Sequence, residues 1–220
     1  MTSNSRWRDS AVLALLTIGA VLVHGYHPAV EDATIYLPGI EKMLDPSLFP
    51  HNAAFFTSHA HMTFFPNLVA LFVRVTHLPL EVALLILHLL SIFFLLMGCV
   101  RLGRFVFRSK LAPWGGVALV AGLLTIPVAG TALYIFDEYL NPRSISVPAL
   151  LFMVVAAYER RWIMCAVLAI FAAAIHPLMA AFGIAYVTIS LLLGYFAGSK
   201  SDSTQVSSAA VLSLLPFGLS

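Results

Sequence analysis

Long apolar runs, separated by short polar stretches, make up most of the 220-residue chain. A helix needs about 20 mostly apolar residues to cross a bilayer, with a range of about 17–25. The apolar runs predict helices at 10–23, 64–78, 82–100, 112–135, 144–158, 162–175 and 178–197, and a further run occupies 208–220. The pattern therefore predicts an all-α protein whose helices lie in a membrane.

Segment 64–78 is the weakest of these candidates for a crossing. It has fifteen residues, begins with Pro66 and Asn67, contains Arg74 and ends before Pro79. Its apolar positions recur at the spacing of an amphipathic helix that lies in the membrane interface: Leu68, Leu71, Phe72 and Val75. We therefore expect this helix to lie on the outer surface without crossing.

The distribution of charge agrees with this assignment, because cytoplasmic loops carry an excess of Lys and Arg. With the N-terminus inside, nine of the twelve basic and three of the ten acidic residues face the cytoplasm, a net charge of +6 against −4 outside. The predicted architecture is a polytopic transmembrane helix bundle with six crossings plus a partial seventh, in a single domain over 1–220. We expect a multi-pass protein of the cell membrane, in a bacterial inner membrane.

Two polar segments connect the predicted helices. The extracytoplasmic first loop, 24–81, contains interfacial helices, and 199–207 forms a cytoplasmic linker. The last run, 209–220, is too short to cross at 1.5 Å per residue. We therefore expect 1–220 to be the N-terminal part of a longer protein.

Composition narrows the classes of function. Hydrophobic residues make up 60% of the chain and charged residues 10%, with a net charge of +2, whereas a typical globular chain has about 25% charged residues. These values exclude a soluble enzyme, a disordered protein and a nucleic-acid binder, and they make the lipid bilayer a partner. Cys99 and Cys165 lie in apolar runs without metal-spaced partners, which predicts buried free thiols.

The first candidate site is the acidic pair Glu31 and Asp32, near the start of the first loop. Adjacent carboxylates there can hold a divalent cation, Mg²⁺ or Mn²⁺, or one can act as a general base. The alternative is structural, with Asp32 as the cap of a helix from Ala33. At helical spacing, Asp32 shares a face with Tyr36 that Glu31 does not quite occupy.

The second candidate site lies between two apolar runs and contains Asp137, Glu138 and Arg143. Asn141-Pro142 marks a turn and a helix start. Arg143 opposes the charge bias of the outer face. It is therefore either the salt-bridge partner of the two acids or a ligand for a phosphate group.

His176-Pro177 interrupts the apolar stretch from Trp162 to Ala197, which is too long for one crossing. Proline breaks a helix, so the chain is expected to turn back there and to leave His176 at the outer mouth of the bundle. His176 is either functional or bonded to a backbone carbonyl. Seven of the eight histidines lie on or near the outer side, where we expect solvated side chains, whereas His88 is expected to be a packed core residue.

The order of these features resembles the GT-C superfamily of membrane glycosyltransferases, which use polyprenyl-phosphate-linked sugars. In that family a first helix leads into a long outer loop with an acidic pair, as in Glu31-Asp32-Ala-Thr-Ile-Tyr36. A Pro-initiated interfacial helix then precedes a second crossing that ends in a basic cluster, as here at Arg101 and Arg104. A short charged outer segment and a later His-Pro also recur, matching the segment from Asp137 to Arg143 and His176-Pro177.

The resemblance covers about residues 8–197 and implies transfer of a sugar on the extracytoplasmic face. Asp32 or Glu31 would deprotonate the acceptor or bind a metal, while Arg143 and His176 would neutralise the phosphate of the donor. The further residues implied to bind substrate are Tyr36, Asp137 and Glu138. The family often has Asp before Glu, whereas here Glu31 precedes Asp32, so the resemblance leaves open which carboxylate is catalytic.

The alternative function is that of a non-catalytic polytopic membrane protein. Such a protein would be a fragment of a transporter or an assembly partner of a polysaccharide-export system. A transporter typically shows internal repeats and helices broken at the midplane. The chain has no internal repeat, and its acidic residues lie near the ends of the predicted helices.

Overall fold

A computed structural model describes residues 3–127 and 134–199 of the chain. Within these ranges the chain forms α-helices, a short 3-10 turn at Ser58–His61 and no strand, which confirms the all-α prediction. The helices are α1 (Ser3–His24), α2 (Ala33–Leu44), α3 (Ala53–Phe56), α4 (Phe65–Thr76), α5 (Leu80–Val106), α6 (Ala112–Gly122), α7 (Pro142–Tyr158), α8 (Trp162–Ile175) and α9 (Pro177–Ser199). The predicted linker after Ser199 and the run at 208–220 lie outside the described residues.

Three of the described helices are long and apolar enough to cross a membrane: α1 over Trp7–His24, α5, and α9 over Pro177–Gly194. The helices α4, α6, α7 and α8 are apolar but have only 12, 11, 17 and 14 residues, which is at or below the length of a typical crossing. The helices are compatible with a multi-pass membrane protein. The predicted number of six crossings is not confirmed.

Segment 112–135 differs from the single helix that its apolar pattern predicts. Helix α6 ends at Gly122, and Ile126 donates its backbone N–H to the carbonyl of Leu123 in a turn. Glycine has a low helix propensity, and Pro127 cannot supply the backbone N–H that a continuing helix needs. Residues 128–133, which belong to the same predicted crossing, lie outside the described residues.

Two helix boundaries predicted from proline are confirmed. Helix α7 begins at Pro142, and the Asn141 side chain accepts a hydrogen bond from the backbone N–H of Ser144 in a capping box. Helix α8 ends at Ile175 and α9 begins at Pro177, so the chain turns at His176. Both boundaries place a polar side chain at the end of an apolar helix.

Helix α5 lies at the centre of the fold and packs against α1, α4, α6 and α7. The α5–α7 approach is close because a Cβ at Gly98 would lie 2.7 Å from Cδ2 of Leu151. His88 of α5 is buried with only 1% of its surface exposed, which confirms the prediction of a core histidine. Cys99 and Cys165 are free thiols and partly buried, so the prediction of full burial was too strong.

The first loop folds onto this bundle as a compact layer. Helix α2 packs on α4 and on the 3-10 turn, and α4 packs on α5. The backbone N–H of Phe64 donates to the carbonyl of Ala174 in α8 at 2.8 Å. The loop is therefore fastened to the end of the bundle where α8 finishes and α5 begins.

Charge separates the two ends of the bundle. The end that carries the first loop also carries Asp137 and Glu138, while the opposite end carries arginines of α5 and of the α7–α8 turn. At that opposite end, Arg104 forms an ion pair with Asp9 of α1 at 2.7 Å. The fold thus keeps the two predicted groups of charges apart.

Candidate functional site

The start of the first loop is fastened to the segment that precedes α7. His27 donates its backbone N–H to the carbonyl of Glu138 at 2.9 Å, and its Nδ1 lies 2.8 Å from the carboxylate of Glu138. His24 lies at the end of α1. Its ring nitrogens contact Oγ1 of Thr125, which follows α6, and the carbonyl of Ala121, which lies within α6. These bonds bring the two acidic segments together. They also correct the expectation for His24, which is hydrogen-bonded and not merely solvated.

Glu31 and the tyrosine that follows Glu138 form the direct link between the two segments. The hydroxyl of Tyr139 donates to Oε2 of Glu31 at 3.2 Å. Burial raises the pKa of Tyr139 to about 12, and the negative charges of Asp137, Asp32 and Glu31 act in the same direction. Tyr139 therefore remains a hydrogen-bond donor at neutral pH. Sequence reasoning did not select it, although it lies within the charged segment.

The carboxylate of Asp32 is exposed and makes no capping bond, although Asp32 occupies the cap position of α2. The structural alternative is therefore met in position, since Asp32 is the exposed cap residue of a helix that begins at Ala33, but its side chain makes no capping bond. Burial raises the pKa of Tyr36, and the charge of Asp32 adds to this effect. Tyr36 packs edge-on against Phe65, with ring centroids 5.5 Å apart. Asp32 and Tyr36 thus lie near each other, and the carboxylate remains available.

The backbone around the acidic pair adopts an unusual conformation. Ala29 and Glu31 both have left-handed backbone angles, with φ of 62° and 46°. This conformation costs of order 1–3 kcal/mol for a residue other than glycine, and it persists only where surrounding contacts impose it. Here the contacts are the Glu138 bonds of His27 and the Tyr139 bond of Glu31.

Asp137 and Arg143 form a largely buried ion pair. The Asp137 side chain is 3% exposed and that of Arg143 is 24% exposed. Oδ2 of Asp137 accepts from Nε of Arg143 at 3.1 Å and from Nδ2 of Asn141 at 2.7 Å, while Nη2 of Arg143 donates to Oδ1. Of the two roles left open for Arg143, the structure shows the salt bridge, and it is made with Asp137 and not with Glu138.

The salt bridge leaves part of the Arg143 guanidinium available. Nη1 has no hydrogen-bond partner among the residues that the structure describes. The charge of Asp32 also acts on this guanidinium. A guanidinium can bind two anionic groups at once because it has five N–H donors, so an ion pair with Asp137 is compatible with a second, bound anion.

His176 lies at the turn between α8 and α9, close enough for the charge of Arg143 to act on it. Its Nδ1 accepts the backbone N–H of Met179 at 3.3 Å, in place of the carbonyl contact that was the alternative. This bond assigns the proton of a neutral imidazole to Nε2. Burial lowers the pKa of His176, and the positive charge of Arg143 adds to this effect. His176 is therefore a neutral Nε2–H donor at neutral pH.

The structure joins Glu31 to Tyr139 by a hydrogen bond and Asp137 to Arg143 by a salt bridge, while Asp32 and His176 lie within electrostatic range of Arg143. We call Glu31, Asp32, Asp137, Tyr139, Arg143 and His176 the charged cluster. Tyr36 lies beside it, and Glu138 faces His27 instead. Among the described residues, no group of three or more His, Cys, Asp and Glu side chains lies close enough together to hold a metal ion.

Two cavities lie at the end of the bundle that carries the first loop. One, of about 10 Å³, is lined by residues that include Tyr36 and Tyr139, and it has room for about one water molecule. The other is an open groove of about 540 Å³ between the first loop and the end of α8. The groove is large enough to receive a sugar, whereas the small cavity is not. Sequence reasoning missed the groove and its polar residues His61, Thr63 and Asn67.

Replacement of Asn141 by alanine is expected to destabilise the fold by about 1–2 kcal/mol, because the cap of α7 and the amide bond to Asp137 are both lost. Asn67→Ala is a suitable control, since Asn67 is exposed on α4. Reversible denaturation in mixed micelles measures both free energies of unfolding. Equal values for the two variants would contradict a structural role of Asn141.

Comparison with known proteins found no match for the chain among protein-family models, curated proteins or solved structures. Its function is therefore argued from the site itself.

Proposed function

We propose that this protein is a membrane glycosyltransferase of the GT-C type, which transfers a sugar from a polyprenyl-phosphate donor to an acceptor on the extracytoplasmic face. The observation that carries the proposal is the charged cluster. It combines an exposed carboxylate without a capping bond, that of Asp32, with the N–H groups of Arg143 and His176. A base beside donors for an anion is the arrangement that glycosyl transfer from a phosphate requires.

In the proposed reaction, Asp32 accepts the proton of an acceptor hydroxyl. The acceptor oxygen forms a bond to the anomeric carbon while the bond from that carbon to the phosphate oxygen breaks, with inversion. The leaving polyprenyl phosphate keeps the electron pair. Nη1 of Arg143 and Nε2–H of His176 stabilise the charge that develops on it. Tyr36 would border the sugar, while Tyr139 would hold Glu31 and Asp137 would hold Arg143 in place.

A divalent cation, Mg²⁺ or Mn²⁺, fits the proposal through Glu31 and Asp32. Carboxylate oxygens suit these ions, and Mg²⁺ is often bound by one or two carboxylates together with substrate phosphates and water. The ion would supply charge neutralisation at the phosphate. Glu31 already accepts the Tyr139 hydroxyl, so Asp32 has the more accessible oxygens.

The orientation in the membrane follows from the positive-inside rule. We place the end with Arg101, Arg104, Arg108 and Lys110 in the cytoplasm and the charged cluster outside, in a bacterial inner membrane. The donor would then be reached from the outer leaflet, and the lipid bilayer and the polyprenyl-phosphate-linked sugar are the proposed partners.

Cysteine labelling tests this orientation. In a protein with both native cysteines replaced by alanine, Thr34→Cys should react with an impermeant maleimide in intact cells. Ser109→Cys should react only after permeabilisation. Both positions are exposed, the first in the first loop and the second between α5 and α6. The reverse pattern would place the charged cluster in the cytoplasm and overturn the proposed donor side.

The activity itself is tested with membranes from cells that express the natural gene. Polyprenyl phosphates bearing radiolabelled sugars are supplied, and release of polyprenyl phosphate is measured together with transfer of the label. Turnover above that of membranes from a deletion strain supports the proposal. Its absence with a panel of hexose, pentose and amino-sugar donors, in membranes that contain the folded protein, would overturn it.

A specific observation favours the second candidate, a non-catalytic polytopic membrane protein. Several charged side chains at this end satisfy one another, as in the pairs of Asp137 with Arg143 and of Glu138 with His27. The enclosed cavity beside them is also small. A non-catalytic role in transport or polysaccharide export predicts that charge substitutions there change stability or assembly and leave no transfer reaction to measure.

A further inference from the structure

A long part of the first loop contains no Asp, Glu, Lys or Arg. This charge-free segment runs for 28 residues from Pro46 to Val73, between Asp45 and Arg74. The loop segments of a protein are normally polar where water surrounds them. The part of this segment that precedes α4 also carries no formal charge, which is unusual for a surface that faces only water.

Within the charge-free segment, aromatic side chains gather at an exposed tip. We call Leu48, Phe49, Phe55 and Phe56 the aromatic tip. Phe55 is 78% exposed, and Leu48 and Phe56 are 38% and 37% exposed. Phe56 stacks on Phe49 at 4.7 Å and meets Phe55 edge-on at 5.4 Å, between ring centroids. The tip thus presents a connected apolar surface and not scattered single residues.

The backbone of the tip is held in a conformation that bulky residues avoid. Phe49 and Asn52 both have left-handed backbone angles, with φ of 51° and 55°. This conformation is a true outlier for a residue as large as phenylalanine. It folds the chain back at Pro50 so that Phe49 reaches Phe56.

The charge-free segment is hydrogen-bonded to the bundle where the apolar helix α8 ends. The backbone bond from Phe64 to Ala174 places it beside the last turn of α8. The side chain of Phe64 itself is 49% exposed, and that of nearby Met62 is 67% exposed. Apolar side chains therefore face outwards near the end of α8. The segment belongs to the first loop, whose two ends join α1 and α5, two helices long and apolar enough to cross a membrane.

We propose that the aromatic tip inserts into the boundary between head groups and acyl chains of the lipid leaflet on that side. The occupant of this surface is lipid and not a protein partner. The segment offers no charge for a complementary protein surface, and its tethers keep it at the bilayer. Aromatic residues are also favoured at membrane interfaces. Insertion would hold the loop that carries Asp32, because the 3-10 turn packs on α2 and His59 contacts Tyr36.

Spin-label accessibility tests this insertion without reference to activity. The full chain, with Cys99 and Cys165 replaced by alanine, is reconstituted in phosphatidylcholine and phosphatidylglycerol nanodiscs. Labels are attached at Phe55→Cys and, as a second tip position, at Leu48→Cys. Thr34→Cys is the control, because Thr34 is exposed on α2 beside the charged cluster. Collisions with oxygen, which concentrates in the bilayer, are compared with collisions with a water-soluble nickel chelate.

Labels at the tip are expected to favour oxygen and to lie about 5–10 Å below the head-group boundary, whereas the label at Thr34 favours nickel. A preference for nickel at both tip positions would place the tip in water and overturn the proposal. Protection from both reagents would show that protein covers the tip, which also overturns it.

Discussion

Asp32→Asn is expected to lower sugar transfer by about 10²–10⁴-fold, because general-base catalysis contributes that much to a reaction. The amide keeps the shape of the carboxylate but cannot accept the acceptor's proton. Folding should change by less than about 0.5 kcal/mol, since Asp32 is exposed and its side chain makes no capping bond. The assay measures release of polyprenyl phosphate at equal amounts of membrane-inserted protein.

Two further variants define what the Asp32 result means. Glu41→Gln, further along α2, should leave transfer nearly unchanged. Glu31→Gln should have an effect smaller than that of Asp32→Asn, because Glu31 mainly accepts the Tyr139 hydroxyl. Equal, mild effects of all three would show that the loop is only a solvated surface. A larger loss with Glu31→Gln would transfer the catalytic role to Glu31.

Asp137→Asn is expected to destabilise the fold by about 3–5 kcal/mol, the usual cost of removing one partner of a buried ion pair. The variant leaves the largely buried Arg143 guanidinium without its counter-charge, and the new amide presents donors where the carboxylate accepted three hydrogen bonds. Denaturation in mixed micelles measures the free energy of unfolding.

Glu138→Gln is the matched control, because it removes the neighbouring charge. Its carboxylate is 40% exposed and its partner His27 is 57% exposed, so the expected cost is below about 1 kcal/mol. Similar costs for Asp137→Asn and Glu138→Gln would mean that burial does not distinguish the two pairs, and Asp137 would then have no special role in holding Arg143.

Some features of the fold could be predicted because they depend on neighbours along the chain. Asn141-Pro142 starts a helix and His176-Pro177 ends one, since the capping side chain and the missing proline N–H act within a single turn. The helix at 64–78 was likewise evident from its spacing. Helices α5 and α9, predicted at 82–100 and 178–197, were also found, and both are long and apolar enough to cross a membrane.

Other features were not predicted, either because an apolar run concealed a local signal or because they depend on contacts between distant residues. The end of α6 at Gly122 was hidden by an apolar run that continues past it. Tyr139 was not selected because its partner Glu31 is more than a hundred residues away. The bonds of His24 were not predicted either, because its partners Thr125 and Ala121 are also distant in the sequence.

The sequence by itself determined that the chain is helical and suited to a membrane, because long apolar runs and few charges follow from the energetics of a bilayer. It also determined which acidic and basic residues were candidates for a site. Only the tertiary structure decided how those residues pair. Asp137 pairs with Arg143 and Glu138 pairs with His27, whereas Asp32 makes no capping bond. The physical reason is that the strength of an ion pair depends on the distance between the charges and on their burial. The packing between helices sets both quantities.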